Sequence, residues 1–252
     1  MDSRVCLVTG AGRGIGRVVA ATLSAAGHRV ALTARHRDQL DDTARSLPGP
    51  ALVLPGDVTD PAAVEDVFAE VERAWGPVEV LVANAGAAAS APLHRTTDAM
   101  WQSMLEVNLT APFRFVRRAV PSMRQQGYGR IVVVASTAAK RGAPYIAAYA
   151  AAKHGVLGLV RAAAAELAST GVTVNAVCPG YVDTPMTDES VARIAQSTGR
   201  DPAQAREILA RTQPIGRLIS PEEVARVVTL LVDDPGGITG QGINIDGGGV
   251  MS

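Results

Sequence analysis

Residues 5–16 read VCLVTGAGRGIG, an apolar run that breaks into a glycine-rich turn, and the architecture of the chain unfolds from this junction. Val5 to Thr9 has the continuous apolar character of a buried strand, and the residues from about 15 to 26 have the spacing of an amphipathic helix. Between them, glycines let a turn tighten and let backbone amides approach a pyrophosphate, with the positive helix N-terminus pointing at it. The spacing of Gly10, Gly14 and Gly16 is weak evidence alone, since 25 glycines in 252 residues produce it by chance about 0.25 times. It also departs from G-x-G-x-x-G, because Ile15 stands three after Gly12. Its position at a strand-to-helix junction carries the inference.

The same alternation continues to the end. Strands are expected at Val5–Thr9, Val30–Thr33, Ala51–Leu54, Val80–Ala83, Ile131–Ala135, Val172–Val177 and Gly242–Ile245. Helices are expected near 15–26, 38–46, 61–75, 98–125, 148–170 and 221–232. Repeated βα units with near-continuous apolar strands predict an α/β fold, a Rossmann-type doubly wound parallel sheet of about seven strands with helices on both faces. No linker or repeat divides the chain, so one domain over residues 1–252 is expected. The 27 residues between Met186 and Pro214 carry helical spacing and no strand. A connection that long predicts a substrate lid at about 187–213.

Composition narrows the class. Hydrophobic residues make up 47%, ample for a core, and 24 basic residues balance 24 acidic ones, against a nucleic-acid binder. Cys6 and Cys178 both sit in apolar runs and read as reduced core residues. No apolar run is long enough to span a bilayer, and the first strand begins too early for a signal peptide. A cytoplasmic protein without metal or membrane partners is expected.

About 20 residues past such a glycine turn, an NAD site places an acidic residue on the ribose. Here the second strand runs out into Ala34, Arg35, His36 and Arg37, and Arg13 lies in the glycine turn. Guanidinium groups suit a 2′-phosphate, so NADP is preferred, while Asp38 keeps NAD open. Asp57 and Val58 follow the third strand, where a carboxylate could accept from an adenine amine or cap the next helix, as Thr59 or Asp60 would do equally. Asn84, Ala85 and Gly86 end the fourth strand as ANAG, small enough for backbone to pass close to a ligand. Asn84 could instead close a turn.

Ser136 ends the fifth strand, and Tyr149 and Lys153 follow with helical i,i+4 spacing. A cation beside a phenol favours its ionised form, which would make Tyr149 a usable acid or base. With 4 tyrosines and 2 lysines in the chain, Tyr-x-x-x-Lys arises by chance only about 0.03 times. Of 24 basic residues only Lys140 and Lys153 are lysine, so an ammonium, a compact point charge, has been kept where arginine is otherwise the rule.

Taken together, TGAGRGIG, Asp57, ANAG, Asn108, Ser136, Tyr149 and Lys153, followed by Pro179, Gly180, Val182 and Thr184, resemble the short-chain dehydrogenase/reductase family over essentially the whole chain. The resemblance implies that Tyr149 is the acid/base, that Ser136 orients a substrate carbonyl, and that Lys153 binds the nicotinamide ribose. It also implies that Asn108 holds a water in a proton relay. From the residues alone, Asn108 could equally be a kink-forming polar residue in a buried helix. Thr9, Gly10, Gly12, Arg13, Gly14, Ile15, Gly16 and Arg35 would complete the cofactor site.

Within the family, the run from Ser136 to Leu159, with VNAVCPGYVDTPM and PIGR, looks most like reductases of 3-oxoacyl thioesters and aromatic-polyketide ketoreductases. An NADPH-dependent reduction of a ketone to a secondary alcohol is therefore expected. A secondary-alcohol, 3-hydroxyacyl-CoA or 3-hydroxybutyrate dehydrogenase is the alternative, and a non-catalytic nucleotide-sensing regulator is the third reading. Substrate choice is expected from Ala87–Arg95, Lys140–Tyr145, Tyr181, Met186 and the lid, with Tyr145, Tyr181 and Met186 touching substrate. Carrier-protein reductases dock their acidic partner through arginines at positions that are Gly127 and Thr170 here, leaving Arg124, Arg130 or Arg161 as substitutes. The loop after ANAG reads AAASAP, without the Pro-Gly-Gly of the aromatic-polyketide enzymes. The acyl carrier thus stays open among an acyl carrier protein, CoA and none. A homotetramer is implied by the resemblance.

Overall fold

On the first strand, β1 (Val5–Thr9), side chains alternate between two cores: Val5 and Leu7 join one, Cys6 and Val8 the other. That period of two, with every residue buried, is what a strand covered on both faces requires. The same division holds in β4 (Val80–Ala83), where Leu81 and Ala83 oppose Val80 and Val82. It holds again in β5 (Gly129–Val134), where Ile131 and Val133 oppose Val132 and Val134.

The computed structural model describes residues 3–251. With β2 (Arg29–Ala34), β3 (Ala51–Pro55), β6 (Val172–Pro179) and β7 (Gly242–Ile245), these strands form a seven-stranded sheet in the order β3-β2-β1-β4-β5-β6-β7. All pairings are parallel. One face carries α1 (Gly14–Ala25), α2 (Arg37–Ser46) and α9 (Pro221–Asp233); the other carries α3 (Pro61–Trp75), α5 (Ala111–Gln126) and α6 (Ala147–Leu167). Order reverses between β1 and β4, which opens a crevice at the carboxyl ends of the strands.

Helix starts obey local chemistry. Asp60 accepts from the Ala62 amide at 2.9 Å with Pro61 at the first helical position of α3, and Ser220 and Glu223 form a capping box ahead of α9. The expected strands and helices are present within a few residues of their predicted limits, with two departures. The helix expected over 98–125 is interrupted: α4 (Asp98–Leu105) passes through a π turn at Glu106–Thr110 into α5. The 187–213 connection is a helical hairpin, α7 (Pro185–Thr198) and α8 (Pro202–Arg211), turning at Gly199 with φ +68° and carrying a small core of Val191, Ala205 and Leu209. Among the described residues no helix is long and apolar enough to cross a membrane.

Candidate active site

A cleft of about 1430 Å³ runs along the carboxyl ends of the strands. Its lining comes from the segments that leave all seven strands, because a parallel sheet delivers every such segment to one rim. The glycine turn forms one end. Gly10 and Gly14 adopt φ +65° and +56°, which glycine alone reaches without strain. A Cβ on Gly16 would lie 2.3 Å from the Gly10 carbonyl oxygen, so helix and turn can approach only without one. Asn84 donates to the carbonyls of Thr9 (2.9 Å) and Gly10 (3.2 Å), and the Thr9 hydroxyl accepts from the amides of Asn84 and Ala85. Thr9 and Gly16 therefore lie behind the cleft wall and hold the turn in place; neither lines the cleft. Asn84 thus closes the turn and also lines the cleft.

The turn leads into an α1 N-terminus with no side-chain cap and no acidic residue in its first turn, leaving amides free to meet an anion. Arg13 and Arg35 line this end, while Asp38 does not. Asp57 lines it too, its Oδ1 accepting from the Thr59 amide (2.9 Å) and hydroxyl (2.8 Å), and these bonds lower its pKa. The cap of α3 is Asp60, so Asp57 is not consumed as one. Val58, Ala85, Gly86, Pro179, Gly180, Val182 and Thr184 complete the wall. These features fit a phosphate-bearing dinucleotide.

At the other end, Ser136 caps the short turn Thr137–Ala139, its hydroxyl accepting from the Ala138 amide at 3.0 Å, and that hydroxyl faces Tyr149 near the start of α6, close enough to act on the phenol's pKa. Burial raises the Tyr149 pKa, Ser136 opposes that rise, and the phenol stays protonated at neutral pH. Here the expectation of an ammonium depressing the phenol is corrected. Lys153 Nζ lies 5.7 Å from the Tyr149 ring centroid and donates to the Val134 carbonyl at 3.0 Å. A fully buried ammonium turns to the nearest acceptor, and its own pKa falls to about 8 by desolvation.

Asn108 sits in the π turn, fully buried, donating to the carbonyls of Ala87 (3.0 Å) and Met104 (3.1 Å) and accepting from the Ala87 amide (3.3 Å). It thereby fastens the segment after β4 to the α4–α5 junction. A Cβ on Gly86 would lie 2.9 Å from Asn108 Oδ1 and 3.8 Å from Lys153 Nζ, so glycine is what lets these two polar groups close in.

Tyr145, Tyr181 and Met186 all line the cleft. Tyr145 is the one non-glycine residue with positive φ (+70°) among those described, and its carbonyl accepts from the Ala91 amide at 2.8 Å. Lys140 does not line the cleft; it donates to the Gly242 carbonyl at 2.7 Å. Sequence reasoning missed Glu189, which pairs with Arg13, and Thr43, whose hydroxyl bonds the Ala11 and Gly12 carbonyls beneath the glycine turn. Neither belongs to a motif, so no spacing announces it. Among the described residues no group of three or more His, Cys, Asp or Glu side chains could hold a metal.

Comparison with known proteins places the chain in a family. The family profile described as "Enoyl-(Acyl carrier protein) reductase" matches residues 10–249. A putative ketoacyl reductase of Streptomyces coelicolor is 39% identical, covering 98% of this chain and 97% of that protein. A D-beta-hydroxybutyrate dehydrogenase of Rhizobium meliloti is 35% identical, covering 98% of each. The crystal structure of a single-substitution variant of actinorhodin polyketide ketoreductase with NADPH superposes with a TM-score of 0.95 at 38% identity, over 98% of this chain and 97% of that one. The chain belongs to the short-chain dehydrogenase/reductase family and is an NAD(P)-dependent oxidoreductase.

Proposed function

We propose that this protein reduces a ketone to a secondary alcohol with NADPH, and that the ketone is a 3-oxoacyl thioester or a related β-keto compound. The observation that carries the reading is that the Ser136 and Tyr149 hydroxyls meet on the wall of the cleft that begins at the glycine turn. The dinucleotide, when bound, supplies a hydride to the carbonyl carbon. Negative charge then grows on the carbonyl oxygen, and two hydroxyl donors aimed at that position stabilise it. Ser136 holds the oxygen, and Tyr149, kept protonated by burial, gives it a proton. Lys153 sits beneath the phenol, anchored on Val134, where it would meet the ribose. Asn108 fixes the Ala87 backbone beside it.

NADPH rather than NADH is supported by Arg13 and Arg35 at the adenosine end and by Asp38 lying off the cleft. The thioester is supported by the ketoacyl reductase relative and by a lining of small and apolar residues from Ala87 to Pro92. An acyl carrier protein as partner needs exposed basic residues. Arg130 is 4% exposed and spends its guanidinium on the carbonyls of Gly129, Gly171 and Asp234, which leaves Arg124 and Arg161.

The test is NADPH consumption over a panel of 3-oxoacyl thioesters and simple ketones, with fluorescence titration of NADPH and NADH. Turnover of the thioesters with tighter NADPH binding is expected. The second reading, oxidation of a 3-hydroxy acid or similar alcohol, is favoured by the D-beta-hydroxybutyrate dehydrogenase relative. Tighter NADH binding with NAD-driven oxidation would select it, and absence of turnover in either direction would remove both.

A further inference from the structure

The α7–α8 hairpin is tied together internally: beside its own small core, Arg206 pairs with Asp188 at 2.7 Å and with Asp183. Its attachment across the cleft is of another kind. A Cβ on Gly14 would lie 3.3 Å from Thr184 Cγ2, so α7 begins hard against the glycine turn. One turn into the helix, Glu189 Oε1 accepts from Arg13 Nη2 at 3.1 Å. Among the described residues this is the one salt bridge that spans from the hairpin to the nucleotide end.

The carboxylate of Glu189 therefore holds the guanidinium that, on the NADPH reading, receives the 2′-phosphate. A guanidinium fork satisfies a carboxylate and a phosphate with the same donors, and the two anions repel. We infer that Glu189 competes with the 2′-phosphate for Arg13, so that it sets the preference of the enzyme for NADPH over NADH, and that its displacement unties α7 from the glycine turn. This inference rests on the NADPH assignment. Both side chains are about half exposed (51% and 52%), so the pair is screened and the competition modest.

The test is fluorescence titration of the cofactor-free protein with NADPH and NADH, comparing wild type, Glu189→Gln, Arg13→Gln and the double variant. Glu189→Gln is expected to tighten NADPH about two- to fivefold and leave NADH within about 1.5-fold, with no gain in the Arg13→Gln background. Hydrogen exchange of α7 amides in the cofactor-free protein should be faster in Glu189→Gln than in wild type. An unchanged NADPH affinity in Glu189→Gln, or the same gain without Arg13, overturns the competition while the NADPH reading survives, provided Arg13→Gln weakens NADPH. If Arg13→Gln leaves NADPH binding unaltered, the phosphate assignment and this inference fall together.

Discussion

Three influences meet at the Tyr149 hydroxyl, burial raising its pKa, Ser136 lowering it and Tyr181 raising it, and burial is the largest. In the proposed reaction, replacing the phenol by phenyl removes the proton and one of two donors facing the developing alkoxide. Tyr149→Phe is accordingly expected to lower turnover by about 10²–10³-fold, or 2.7–4 kcal/mol, while NADPH binding by fluorescence stays near wild type. Lys153 gives a pH test. Its folded-state pKa is depressed to about 8, so it is cationic below that value and neutral above it. If the cation supports the reaction, the rate at saturating substrate falls as pH rises through about 8, and a plateau extending well into the alkaline range would exclude that role. The pairing of Tyr149 with Lys153 was legible because i,i+4 spacing stacks side chains on one helical face. Where the ammonium points was not, since that depends on the Val134 carbonyl, which only the packing of α6 on β5 brings within 3.0 Å.

The α4–α5 segment shows how an element can be read correctly in extent and wrongly in form. Its apolar spacing continues across residues 106–110, and nothing in that spacing marks a wider turn. The π turn carries Asn108, whose side chain reaches the Ala87 backbone, a contact between residues 21 apart. Such turns are frequent at functional sites. Asn108→Ala would remove the side-chain partner of the half-buried Ala87 amide and carbonyl at the cleft wall and of the buried Met104 carbonyl. A loss of about 1–3 kcal/mol in urea denaturation is expected, together with lower activity, whereas a merely surface-lying polar residue would change stability by less than about 0.5 kcal/mol. The α7–α8 hairpin illustrates the opposite case. Val191, Ile194, Ala205, Ile208 and Leu209 announced helical spacing, and two helices formed, but Glu189 falls outside any apolar pattern and its partner lies 176 positions away.

For the molecule as a whole, fold class was legible because seven apolar runs alternate with helix-length amphipathic ones, and a sheet buried on both faces admits few other arrangements. The reversal of strand order between β1 and β4 is a matter of long-range pairing that no single run encodes. Beneath α3 and α5, the Phe68 and Phe115 rings meet at a centroid distance of 5.8 Å in the core that joins strands of the sheet to α3, α5 and α6. Phe68→Ala should cost about 3–5 kcal/mol by chemical denaturation, lowering one cooperative transition rather than splitting it. Among the described residues, the rim at which strands end carries the cleft-lining segments, and the rim at which they begin carries none. On the proposed reading, contact with the substrate is thus confined to one edge of a scaffold whose cores lie on the two faces of the sheet. If that reading holds, an evolving lineage can rewrite the residues around 87–92, 141–146 and 185–212 to meet a new carbonyl compound without disturbing a single strand.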